Sequence, residues 1–176
     1  MVLNWQASIS FLIANGLQSC HNFLDIGCGS LRLGQFIITL LAEGNYYGLE
    51  PEKILVECGL EYEISPQVIA LKRPNFAHNC NFHFDSLCSF DFAMANSIFT
   101  HMNKSDIESC FAEVYKKPSP VQSFSLHSSR VRQAQTHNLI LTQIQVGDIR
   151  SRNYVRYRHN GSWNILETGS IPEIKR

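Results

Sequence analysis

Chemistry is concentrated in "FLDIGCGSLRLG" (23–34). A short apolar run there reaches Asp25, and Gly27, Gly29 and Gly34 follow, with Cys28 and Arg32 between them. Glycine has no Cβ, so a backbone built on it can turn tightly and let a ligand approach closely. A helix beginning just after such a turn points free N–H groups and a partial positive charge at the same spot. Glu50 stands 21 residues after Gly29, at the end of the next apolar run. An acid at that place can accept hydrogen bonds from the two hydroxyls of a ribose. Turn and acid together specify a nucleoside. The competing structural account is a glycine-rich turn in which Asp25 only caps backbone amides.

The spacing says which nucleoside. A dinucleotide fingerprint requires G-x-G-x-x-G, whereas Gly34 falls five residues after Gly29. The phosphate-cradling pattern G-x-x-x-x-G-K-[ST] does not occur in the chain. Asp25, two residues before the first glycine, can orient the turn and contact a ligand bearing positive charge, such as a sulfonium or an amino group. A nicotinamide-dependent oxidoreductase would also use Glu50. The displaced third glycine and Asp25 count against it.

These residues need strands and helices to hold them. Trp5, Ile9, Leu12 and Ile13 recur at helical spacing and Gly16 stops the run, which predicts a helix covering a sheet. Residues 22–26 read as a buried strand, 33–44 as a helix capped by Gly44, and 45–50 as a second strand ended by Pro51. A further helix is expected to start at Pro51. The third strand is placed near Val68–Leu71 or near Asn81–Phe84. Residues 90–97 form the next strand and 104–117 a helix with Ile107, Cys110, Phe111 and Val114 on one face. Alternation of strand and helix predicts an α/β fold: a Rossmann-like parallel sheet with helices on both faces.

"FLDIGCGSLRLG", "YYGLEP" and "FDFAMANSIFTHM" occur in the order of the first, second and strand-four motifs of the class I S-adenosylmethionine-dependent methyltransferases. The chain resembles that family over about residues 5–120. The resemblance implies S-adenosylmethionine as cofactor and methyl transfer to an acceptor. Gly27, Cys28 and Gly29 would line its methionine part, with Asp25 close by. Glu50 would hold the ribose, and Asn96 would face the methionine end or the acceptor. Family members often carry an acid after strand three that touches adenine; Asp85 is a poor counterpart, only six residues before Asp91. No catalytic residue is assigned. His101 is the one candidate base near strand four, against a plain role as a partly buried histidine opening the next helix. Arg32 is a cofactor contact or a solvated first-turn arginine. The acceptor is not specified, with a small molecule favoured over a macromolecule.

The totals set the remaining bounds. The 176 residues, 44% hydrophobic, suit one domain with a substantial core. A formal net charge of zero gives no general argument for nucleic-acid or membrane binding. The longest apolar runs are too short for a bilayer, and "MVLNWQASIS" lacks the basic start of a secretory signal. Six cysteines without a CxxC pair read as free thiols of a cytoplasmic protein, with no metal site.

The totals also hide a boundary. Residues 1–120 carry 12 acids against 7 Lys+Arg, whereas residues 121–176 carry 3 against 8. Ten of eleven phenylalanines precede residue 120. Two readings of 121–176 follow. "RSRNYVRYRHN" (150–160) interleaves arginine with tyrosine, as a single-stranded nucleic-acid surface does. RNA binding is therefore the rival function. The favoured reading is translation out of frame, since a shifted frame is compatible with an apolar strand after Pro120. That reading predicts that the last strands of the sheet are missing or disrupted, that strand four is an unpaired edge, and that a terminal hairpin is absent. Only 138–146 looks strand-like there.

Overall fold

The computed structural model describes residues 5–84, 89–96, 98, 102–116, 123–127, 154–159 and 162–167. The elements run α1 (Trp5–Ala14), β1 (Phe23–Ile26), α2 (Gly34–Leu40), β2 (Tyr46–Leu49), α3 (Lys53–Tyr62), α4 (Pro66–Lys72), β3 (Asn75–Ala77), β4 (Phe92–Asn96), α5 (Lys104–Lys116), β5 (Ser123–His127), β6 (Tyr154–His159) and β7 (Ser162–Glu167). Strands β1 to β5 form one sheet of order β3-β2-β1-β4-β5 in which every pair is parallel.

The period of two along each strand divides the core between the sheet's faces. Leu24 and Ile26 of β1, with Ala93 and Ala95 of β4, meet Ile107, Cys110, Phe111 and Val114 of α5. Phe23, Tyr46, Phe92 and Met94 face the other way, toward Leu12 of α1, Ile37 and Ile38 of α2 and Val56 of α3. Both faces are covered, so the central strands are apolar throughout, as parallel strands must be. Asp25 is the buried exception, only 2% exposed, and Asn96 at the end of β4 is a half-buried one.

Several expectations are corrected. Val68–Leu71 lies within α4, not in a strand. Ser65 caps this helix by accepting from the Val68 N–H at 3.4 Å, and Pro66 stands in its first turn. Nor does the third strand lie at Asn81–Phe84: it is Asn75–Ala77, paired with Tyr47–Leu49. Helix α2 ends at Leu40 instead of continuing to Gly44, which occupies a left-handed turn at φ +75°. Helix α3 begins at Lys53, two residues after Pro51.

The expectation of lost C-terminal strands is corrected in part: β5 joins the main sheet and a terminal hairpin is present, but β6 and β7 lie outside that sheet, in a two-stranded sheet of their own. β4 is not an unpaired edge: β5 lies parallel to it, from Phe92↔Ser123 to Asn96↔His127. β6 and β7 form an antiparallel hairpin, from Tyr154↔Glu167 to His159↔Ser162. A ladder is made by N–H and C=O groups that every non-proline residue carries, so polar sequence does not prevent it. The strand-like stretch 138–146 lies outside the described residues. Among the described residues, no helix is long and apolar enough to cross a membrane.

Candidate functional site: the glycine turn after β1

The chain leaves β1 toward β2 on one side, while β4 lies on the other. The carboxyl ends of β1 and β4 therefore border the switch point, where open α/β sheets bind ligands. Gly27 follows β1 there, and Asn96 ends β4. Ile98, just beyond, lies on Gly27: a Cβ at that glycine would come within 2.5 Å of Ile98 Cδ1.

The turn is fastened to the end of β2. The N–H groups of Gly27 and Cys28 both donate to the Leu49 carbonyl, at 2.8 and 3.1 Å. The Gly29 N–H donates to Glu50 Oε2 at 3.1 Å, and the Glu52 N–H donates to Glu50 Oε1 at 3.1 Å. Glu50 is itself held at both ends of its backbone. Its N–H donates to Ala77 of β3, and its carbonyl accepts from His78 Nδ1 at 2.8 Å. A carbonyl can only accept, so that ring nitrogen carries the proton. Turn and acid, read as partners from spacing, thus meet directly.

Gly29 has φ +52°, a conformation side chains disfavour, and among the described residues a Cβ built on it meets nothing within 4 Å. Among the described residues, space is therefore open at the turn, beside the Glu50 carboxylate. Gly34 serves a different end. A Cβ there would lie 2.6 Å from the Tyr46 hydroxyl, so the third glycine makes room for a side chain and not for a ligand. Helix α3 supports the turn from behind through Gly59, where a Cβ would meet the Ser30 carbonyl oxygen at 2.5 Å. Between these glycines Leu31, fully buried, is held at φ +59°. A leucine stays in that conformation only where its surroundings impose it.

Asp25 lies beneath the turn, not on its open side. Its Oδ2 accepts from the Tyr46 hydroxyl at 2.7 Å. Burial pushes its carboxyl up to about 6; the Tyr46 hydrogen bond opposes that shift, and the Glu50 charge adds to it. The Cys28 thiol is also buried and is pushed well above its usual range, by burial first and then by Asp25 and Glu50. Cys28 thus faces the core, and what it offers the open side is backbone. Sequence reasoning missed Tyr46, His78 and Ile98. Tyr46 was visible only as an apolar strand residue, and its pairing with Asp25 depends on the register Phe23↔Tyr46. Asp85 and His101 lie outside the described residues. Among the described residues, no group of three or more His, Cys, Asp or Glu side chains is placed to hold a metal ion.

No family model matches the chain. Its fold does recur among solved structures. Magnesium protoporphyrin IX methyltransferase from Synechocystis PCC 6803, solved with bound SAH, aligns at TM-score 0.57 and 14% identity, over 69% of this chain and 52% of its own. The methyltransferase domain of bacterial CtHen1 aligns at TM-score 0.54 and 15% identity, over 69% and 62%. The glycopeptide N-methyltransferase MtfA, complexed with S-adenosyl-L-methionine, aligns at TM-score 0.60 and 14% identity, over 94% and 66%. The chain spans about half to two-thirds of the length of these proteins. At such identities the likeness is one of fold. That fold is a Rossmann-like parallel sheet with helices on both faces, which this chain shares with these proteins.

Proposed function

We propose that residues 1–120 form the cofactor-binding core of an S-adenosylmethionine-dependent methyltransferase. One observation carries this reading: the Gly29 N–H lies 3.1 Å from the Glu50 carboxylate, so a bare glycine turn and a ribose-binding acid share one edge of the sheet. The open space above Gly29 supports it, because a ligand could rest there against backbone. In this reading Glu50 binds the ribose hydroxyls, and the backbone of Gly27, Cys28 and Gly29 lines the methionine part. Asn96, at the end of β4, faces the methionine end or the acceptor. Asp25 orients the turn from below.

When bound, S-adenosylmethionine supplies a methyl group on a sulfonium that is already an excellent leaving group. The protein's task is then to align acceptor, methyl and sulfur, and holding reactants in line accounts for most of such an acceleration. A general base is needed only for an acceptor that arrives protonated. A small molecule remains the favoured acceptor.

Equilibrium binding of S-adenosylmethionine tests the reading. Glu50→Ala should weaken binding by about 1–3 kcal/mol, the cost of leaving polar partners unpaired. Gly29→Val should abolish it, since the branched side chain would fill the open space and resist a positive φ. Unchanged affinity in both variants, or a clear preference for NAD, would overturn the assignment.

A further inference from the structure

Asp25 and Tyr46 form a buried polar contact whose tyrosine the cofactor reading leaves unused. Tyr46 is fully enclosed. Its ring lies parallel to Phe23 at 6.4 Å and edge-on to Phe76 at 6.0 Å. Its hydroxyl occupies the space that Gly34 leaves at the start of α2. β1 and β2 pair Asp25 with Gly48, so Tyr46 reaches Asp25 diagonally across the ladder. The hydroxyl thereby joins β1, β2 and the start of α2 just below the glycines.

We infer that Tyr46 is a positioning residue: its hydroxyl seats the Asp25 carboxylate beneath the glycine turn and fixes that turn in the form that takes the cofactor. This inference rests on the methyltransferase reading. Among the described residues, the titratable groups coupled to Asp25 are Tyr46 on β2, Glu50 just after it and Cys28 on the turn. Burial and Glu50 favour the neutral acid, whereas the Tyr46 hydroxyl favours the carboxylate. Tyr46 is thus the group among them that keeps a negative charge under a ligand whose sulfonium and amino group are positive. Opposite charges attract strongly where water is excluded.

The test is S-adenosylmethionine affinity of the full chain, measured by calorimetry between about pH 5 and about pH 8, where one buried carboxyl should titrate. In the wild type, affinity should fall through a midpoint near 6 as the pH drops. Tyr46→Phe should move that midpoint up by roughly one unit, because the carboxylate loses its hydrogen-bond donor. Asp25→Asn should remove the dependence. A mere loss of packing would lower affinity at every pH and leave the midpoint in place. A wild-type midpoint in Tyr46→Phe overturns the inference while the methyltransferase reading stands. Should Tyr46→Phe not fold, a wild-type profile in Asp25→Asn overturns it equally. Wild-type protein that binds at no pH in this range overturns the methyltransferase reading, and the inference with it.

Discussion

At the scale of single residues, burying Asp25 has a cost in stability that should be measurable without any ligand. Its carboxyl is raised from 3.8 to about 6 in the folded protein. Between those values the folded chain holds a proton that the unfolded chain has released. The stabilisation is therefore complete below about 4 and is lost as pH rises through about 6. A shift of about two units corresponds to roughly 3 kcal/mol. Asp25→Asn, which cannot ionise, should match the wild type at acid pH and become the more stable protein by up to that amount near neutrality. Chemical denaturation of both at about pH 4.5 and about pH 7.5 reads the difference. Parallel profiles would show that Asp25 does not titrate in the folded state. How far the sequence revealed these residues follows from what each contact depends on. Glu50 was legible because its partner is the turn itself, at a spacing set by one strand–helix–strand unit. Tyr46 was not, because its contact with Asp25 exists only once the register of β1 and β2 is known.

At the scale of elements, the third glycine of the turn couples α2 to β2. At the first position of α2, Gly34→Ala would gain at most about 1 kcal/mol in helix propensity. Its Cβ would also lie 2.6 Å from the Tyr46 hydroxyl and 3.0 Å from Leu31 Cδ2. Overpacking of this kind costs about 1–3 kcal/mol, so the substitution should be net destabilising. Removing the hydroxyl removes the nearest obstacle, and Gly34→Ala should therefore cost less in a Tyr46→Phe background. A double-mutant cycle of unfolding free energies should give a coupling of at least about 0.5 kcal/mol; additive effects would refute the contact. Elements differed in legibility for similar reasons. β1, α2, β2, β4 and α5 announce themselves by short apolar runs closed by turn residues or by helical spacing, and only their ends moved. α4 was concealed by the β-branched Val68 and Ile69, which favour strands. Its Ser65 cap and Pro66 start were the better guide, and the left-handed Arg73 closes it. β3 is three residues long, too short to show any alternation.

At the scale of the whole molecule, the boundary near residue 120 separates two compositions, and the main sheet crosses it through β5. A basic segment with a single phenylalanine supplies β5, because backbone pairing with β4 needs no particular side chain. Pairing of backbone is not burial of apolar surface, however, and apolar burial is the main source of stability. Residues 123–127 read Ser-Phe-Ser-Leu-His, against Phe-Ala-Met-Ala-Asn in β4. We propose that residues 121–176 are translated out of the frame in which the rest of the domain is encoded. The code permits the idea to be checked codon by codon. When the third base of each codon is joined to the first two of the next, Trp163 and Asn164 force a glutamate, and Glu167 with Thr168 allows only asparagine or aspartate. The shifted frame should therefore stay open well beyond Pro120 and encode an apolar strand where β5 now lies. The protein itself offers a second measurement. A chain whose fifth strand is polar should be only marginally stable and should lose S-adenosylmethionine binding on mild heating. A chain carrying the shifted frame from residue 121 should gain several kcal/mol from a sheet with apolar strands across its full width. A stop codon soon after Pro120 in that frame would end the proposal, and the arginine–tyrosine pattern of 150–160 would then require a function of its own.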